Sequence, residues 1–154
     1  RDVLFRNPVF AWLIRTVVAF PIDHSKGDMG AIRTTLQRLE EGHAVLIFPE
    51  GSRTETGAQI EYKRGVSLLL KRSKVPVLPV AVEGCFDAWP RRRVIPTLCR
   101  HRVAVRIVKV IEHDDLMSEG ADRALARLHD EVEALRQDLG TWMRRVSHGR
   151  MPRS

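Results

Sequence analysis

The sequence predicts an α/β fold, with a mostly parallel or mixed central sheet flanked by helices and a long C-terminal amphipathic helix. Three observations predict it. Short β-branched runs such as Ala44–Phe48 and Val75–Val82 are apolar throughout, as strands covered on both faces are. They alternate with segments whose apolar residues recur every three or four positions. The chain has 154 residues, within the roughly 100 to 200 of one domain, so it is long enough to bury its own core.

Asn7 followed by Pro8 is a helix start, an N-cap with proline in the first turn, leading into Val9, Phe10, Trp12, Leu13, Ile14 and Val17. Val17 to Ile22 reads as a short strand whose end or edge Pro21 marks. Asp28 caps a second helix carrying Ile32, Leu36 and Leu39, with Gly42 as its stop. The buried strand Ala44–Phe48 follows. Val66, Leu69 and Leu70 give Arg64–Ser73 helical spacing, and Val75–Val82 is a strand despite its two prolines. Arg102–Ile111 is a further strand whose apolar positions change phase near Ile107 and Val108, which predicts a bulge or two-sided burial. From about Ser118, Leu125, Leu128, Val132, Leu135, Leu139, Trp142 and Val146 form one stripe. With only three heptads, packing onto the sheet is expected rather than a dimeric coiled coil. The expected organisation is an α/β domain over 1–117 and, over 118–154, a helix and basic tail packed on the same domain.

Lys and Arg number 26 against 19 Asp and Glu, a net +7. The balance favours anionic partners: nucleic acid, phosphorylated metabolites or acidic lipids. A hydrophobic share of 44% with 29% charged residues excludes a disordered tail, a collagen-like repeat and a coiled-coil rod. Cys85 and Cys99 lack any Cys-x-x-Cys spacing and no His is placed to suggest a zinc site, so both are expected to be reduced thiols and no metal site is expected. No His accompanies Cys85 to make it a nucleophile. The longest apolar run, Val9 to Ile14, falls far short of the roughly 18 residues that span a bilayer. The first residue is Arg and no signal-peptide layout follows, so the N-terminus is expected to be cut.

The informative stretch is Phe48-Pro49-Glu50-Gly51-Ser52-Arg53-Thr54, directly after the run Ala44–Phe48. Sites in open α/β sheets form beyond the carboxyl ends of strands. Gly51 permits a tight turn, Ser52 and Thr54 offer hydroxyls, and Arg53 offers a forked cation suited to phosphate. Glu50 would repel phosphate, so it is expected to accept a hydrogen bond from a substrate hydroxyl or to hold an arginine in place.

The block Phe48-Pro49-Glu50-Gly51-Ser52-Arg53 resembles the third signature of the lysophosphatidic acid (1-acylglycerol-3-phosphate) acyltransferase family. Ala19-Phe20-Pro21-Ile22-Asp23 resembles its second block, Tyr62-Lys63-Arg64-Gly65 its Phe-Lys-x-Gly element, and Val75-Pro76-Val77-Leu78-Pro79-Val80 its fourth block. The resemblance covers roughly residues 2 to 112, which makes the 1–117 domain acyltransferase-like and incomplete at its N-terminus. It implies that Glu50, Gly51, Ser52, Arg53, Lys63 and His24 bind the acceptor, with Arg53 and Lys63 on its phosphate. Phe48, Pro49, Pro76 and Pro79 would contact the acyl donor or line the wall.

Two departures stand out. His24 follows Asp23, where the family usually has arginine, so a permanent cation gives way to a mostly neutral ring. The family's catalytic His-x-x-x-x-Asp, in which His deprotonates the acceptor hydroxyl and Asp orients the ring, is absent. His24, His43, His101, His113, His129 and His148 are followed five residues later by Met29, Phe48, Arg106, Ser118, Ala134 and Arg153. That pair is expected upstream of Arg1, and no catalytic residue is visible in the chain itself.

The resemblance implies acyl transfer from an acyl thioester, acyl-CoA or acyl carrier protein, to a hydroxyl of a lysophospholipid or glycerol phosphate. No cofactor beyond that co-substrate is implied. Cytoplasmic placement with peripheral contact to an anionic membrane is expected. Arg91-Arg92-Arg93 would grip lipid phosphates or form a solvated loop. A non-catalytic lipid- or phosphate-binding protein is one alternative. A basic nucleic-acid binder is a more distant one, since nine aromatic residues and no recognisable module leave that reading without support.

Overall fold

A computed structural model describes residues 27–93, 97 and 101–148. The expected first helix, the strand Val17–Ile22, the second block and His24 lie outside the described residues. The chain divides into two compact units, Arg1–Leu46 and Ile47–Ser154.

In the first unit, α1 spans Gly27–Glu40. It begins one residue before Asp28, so Asp28 falls in the first turn and is not the cap. Its end follows the sequence. Gly42, at φ +82°, donates its N–H to Leu39 O at 3.0 Å, and His43 N–H reaches back to Arg38 O at 3.0 Å. These are the two hydrogen bonds of a Schellman stop.

The run Ala44–Phe48 is not a strand in the described structure, and Leu46 and Phe48 are each 72% exposed. Apolar composition records a demand for burial but not what satisfies it, and no strand pairs with this run among the described residues.

In the second unit, α2 spans Arg64–Ser73, as the spacing of Val66, Leu69 and Leu70 requires, and stops at Lys74 in the left-handed region. Strand β1 is Val80–Glu83 and β2 is Ala104–Ile107. They pair antiparallel, with Val80 opposite Ile107 and Glu83 opposite Ala104. The class is α/β. The described strands supply an antiparallel pair, such as a mixed sheet contains, and no parallel pairing occurs among the described residues.

β1 is shorter than the expected Val75–Val82 because Pro76 and Pro79 have no N–H to give the ladder. Between them only Val77 pairs, exchanging both hydrogen bonds with Ile111 at 2.9 and 2.8 Å. From Val80 back to Val77 is three residues, whereas from Ile107 on to Ile111 is four. The extra residue is a bulge, at the place where the sequence changes phase.

Short helices α3 (Cys85–Ala88) and α4 (His113–Met117) follow β1 and β2. The 26-residue α5, Ala121–Val146, packs on both strands, α2 and α4. Leu70, Ile111, Leu116, Ala124 and Leu128 form the core, with Tyr62, Val66 and Val77 against it. The stripe holds along most of α5 but not at its end: Met143 is buried, while Trp142 and Val146 are 49% and 44% exposed. A heptad spacing drifts by about 20° per heptad on a straight helix, so three heptads carry the last two positions off the core face.

Glu83 is buried at the end of β1. It accepts from Gly84 N–H at 3.0 Å and from Arg136 on α5 at 2.7 Å. Arg136 also forks onto Glu133 at 2.8 and 2.9 Å. These hydrogen bonds hold the Glu133 carboxyl below its usual range and raise the Arg136 guanidinium, first through Glu133 and then through Glu83. Gly84 sits at φ +87°, and a Cβ there would lie 2.2 Å from Arg102 O. No described helix is long and apolar enough to cross a membrane.

Candidate functional site

The Phe48–Arg53 segment is a turn closed by Gly51 N–H donating to Phe48 O at 3.0 Å. Gly51 has φ +70°, a conformation glycine adopts without a Cβ penalty. Across the turn, Lys63 at the start of α2 donates its N–H to Pro49 O at 2.9 Å. The Lys63 stem lies over Gly51, with Cγ 3.3 Å and Cε 3.4 Å from where a Cβ would stand. Gly51 and Lys63, 12 positions apart in the sequence, therefore meet, and the Lys63 stem packs against the place that a Gly51 side chain would take.

Among the described residues Glu50 pairs with no arginine. Its Oε2 accepts the Ile60 N–H at 3.0 Å, closing the loop between the two motifs. Thr54 Oγ1 accepts from the N–H groups of Thr56 and Gly57 at 3.2 Å each, stiffening the same loop. Glu50 also acts on Tyr62. Burial foremost, then the Glu50 carboxylate, pushes the Tyr62 phenol up to about 12. Tyr62 accepts a hydrogen bond from Gln59 at 2.8 Å and meets the His129 ring edge-on at 5.0 Å, joining the site to α5.

Arg53 leans on Trp89. Its guanidinium carbon is 5.0 Å from the indole centroid, and Nη1 donates to Trp89 O at 3.4 Å. Arg91 pairs with Glu55 at 3.0 Å, tying the loop after α3 to the loop after Arg53. Trp89 and Glu55 escape sequence reasoning because 36 residues separate each from its partner. Among the described residues, the Lys63 ammonium, the Ser52 hydroxyl and the Arg92 guanidinium make no hydrogen bond or ion pair within the protein. The turn thus presents a hydroxyl and exposed cations while one oxygen of its carboxylate accepts a backbone N–H. Hydroxyls and cations are the groups that hydrogen-bond and pair with oxyanions.

The other predicted residues are placed as follows. Phe48 is exposed and Pro49 half-buried within the turn; Pro76 is exposed, and Pro79 is buried directly before β1. Among the described residues two His–Asp contacts are present, His113 Nδ1 with Asp114 at 3.3 Å and His129 Nδ1 with Asp130 at 3.4 Å. Both join sequence neighbours, and His113 Nε2 is already engaged with Leu70 O at 3.1 Å, so neither reproduces the family's spacing. Burial, then Glu83, pushes the Cys85 thiol up, away from nucleophilic thiolate. No cluster of three His, Cys, Asp or Glu side chains fit to hold a metal occurs among the described residues.

Residues 1–83 match the acyltransferase family. The chain belongs to that family. It is similar to the 1-acyl-sn-glycerol-3-phosphate acyltransferase of Streptococcus pneumoniae, 28% identical over 90% of this chain and 50% of that protein. The enzyme of the same name from Bacillus subtilis is 33% identical over 53% of this chain and 40% of its own length. The N-acylphosphatidylethanolamine synthase of Arabidopsis thaliana is 32% identical over 73% and 43%. The crystal structure of the 1-acyl-sn-glycerophosphate acyltransferase PlsC from Thermotoga maritima superposes with a TM-score of 0.70 at 23% identity, covering 89% of this chain and 54% of that one. This acyltransferase-family chain therefore shares that fold. It spans about half the length of the curated relatives it matches.

Proposed function

We propose that the protein carrying this chain transfers an acyl group from an acyl thioester to a hydroxyl of a lysophospholipid or glycerol phosphate, and that the Glu50–Arg53 turn with Lys63 holds the acceptor's phosphate. The observation that carries this reading is the Lys63 stem packed against Gly51, which brings a second exposed cation to the turn that carries Ser52 and Arg53. The family match and the names of the relatives support the reaction class.

In that reaction the acceptor hydroxyl attacks the thioester carbonyl. The tetrahedral oxyanion collapses, the C–S bond breaks, and the thiol leaves with the proton the base has taken from the hydroxyl. This chain's residues bind and orient the acceptor, and positioning alone supplies a large part of such a barrier. No His in the sequence has Asp five residues on, so the 154-residue chain is expected not to turn over by itself. The donor is acyl-CoA or acyl carrier protein, no further cofactor or metal takes part, and the protein works in the cytoplasm at the surface of an anionic membrane, without nucleic acid.

The test is thiol release from acyl-CoA by the complete protein, with glycerol 3-phosphate or 1-acyl-sn-glycerol 3-phosphate as acceptor. Acceptor-dependent release whose KM rises in Arg53→Ala and Lys63→Ala supports the proposal. Phospholipid binding by the complete protein with no release under any acceptor would instead leave a non-catalytic lipid-binding protein.

A further inference from the structure

We infer that the Trp89–Arg93 loop is a positioning clamp for Arg53, with Trp89 as the residue that fixes the guanidinium plane for the acceptor's phosphate. The inference rests on the reading of Arg53 as a phosphate ligand and extends it to a residue outside the family blocks. Arg53 is exposed, and a free arginine side chain samples many rotamers whose loss opposes binding. Trp89 removes that freedom in two ways. Its ring takes one face of the guanidinium at 5.0 Å, and its own carbonyl accepts from Nη1. Only one of the two terminal nitrogens is engaged, so Nη2 and Nε remain to meet a phosphate oxygen pair.

The clamp is itself fixed from behind. Trp89 Nε1 donates to Arg93 O at 2.9 Å, and Trp89 N–H donates to Cys85 O at 2.9 Å at the end of α3. Arg93 donates to Thr97 Oγ1 at 2.7 Å, and Thr97 N–H returns to Ala88 O at 2.8 Å. The Arg91–Glu55 pair then joins this loop to the one that carries Arg53. A solvated basic loop would need none of these bonds. Trp89 is 36% exposed, is not in the core cluster, and carries Arg53 on its ring face.

The test is the affinity of the full chain for 1-acyl-sn-glycerol 3-phosphate divided by its affinity for the matching monoacylglycerol, which lacks the phosphate. Trp89→Leu is expected to lower this ratio about three- to tenfold, the equivalent of a partly exposed cation–π contact with its ordering. Trp89→Phe, which keeps an aromatic face, is expected to restore most of it, and Trp89→Leu is expected to add nothing in an Arg53→Ala background. Trp89→Met supplies the non-aromatic variant if Trp89→Leu does not fold. A ratio unchanged in the non-aromatic variant while Arg53→Ala collapses it overturns the clamp and leaves the phosphate site standing. A ratio unchanged in Arg53→Ala overturns the phosphate site and the clamp together. Equal losses for both lipids on replacing Trp89 would mark a structural residue and likewise overturn the clamp.

Discussion

Lys63 and Gly51 are in close contact: the lysine stem packs against the place where any other residue at 51 would carry its Cβ, 3.3 Å from Lys63 Cγ. Gly51→Ala therefore meets two penalties, an unfavourable positive φ and a shift of the Lys63 stem by a few tenths of an ångström. A stability loss of about 1–2 kcal/mol is expected in urea unfolding, together with weaker binding of a phosphorylated acceptor. Lys63→Ala is expected to weaken that binding without the stability loss.

Tyr62 is the one tyrosine of the chain, so its ionisation is directly visible in tyrosinate absorbance. The folded protein is expected to titrate near 12, and the urea-unfolded chain near the ordinary value of about 10. Because the folded state holds this proton more tightly, its contribution to stability is complete below about pH 10 and is lost as pH rises towards 12. Glu50→Gln removes the carboxylate that helps raise the phenol, so the folded midpoint is expected to move down, though not fully, since burial is the larger cause.

The Glu83–Arg136–Glu133 group predicts an asymmetry. Arg136→Met leaves Glu83 buried without its cation and is expected to cost about 3 kcal/mol. Glu83→Gln leaves Arg136 paired with Glu133 and is expected to cost less. Chemical denaturation of the two variants and of the double variant measures the difference.

Gly84→Ala is expected to destabilise by at least about 3 kcal/mol, the largest effect among these substitutions. Its Cβ would stand 2.2 Å from a backbone oxygen, which cannot move aside as a side chain can. Failure to fold at 37 °C, or a Tm lowered by at least roughly 6–12 °C, checks it.

Legibility in the sequence followed the range of the interaction concerned. Arg64–Ser73 and the Gly42 stop depend on residues within four or five positions, and both stand as the spacing requires. The bulge between Ile107 and Ile111 was visible because a phase change in burial is itself local. Ala44–Phe48 was not legible as exposed, since nothing in an apolar run names its partner, and the heptad read through Trp142 and Val146 carries a drift that only a straight helix reveals. Within the site, the turn and Lys63 were legible from their motifs. The occupation of Glu50 by Ile60 and the seating of Arg53 on Trp89 are tertiary contacts, and no spacing encodes them.

The most direct test of the central claim is the binding of 1-acyl-sn-glycerol 3-phosphate against the matching monoacylglycerol to the wild-type chain and to Arg53→Ala. Loss of one charged hydrogen-bonding group at the phosphate predicts a fall of roughly ten- to a hundredfold for the phosphorylated lipid and little change for the other. Equal affinity of the wild-type chain for both lipids, or an Arg53→Ala variant that binds the phosphorylated lipid as well as the wild type does, would contradict a phosphate site at the Glu50–Arg53 turn.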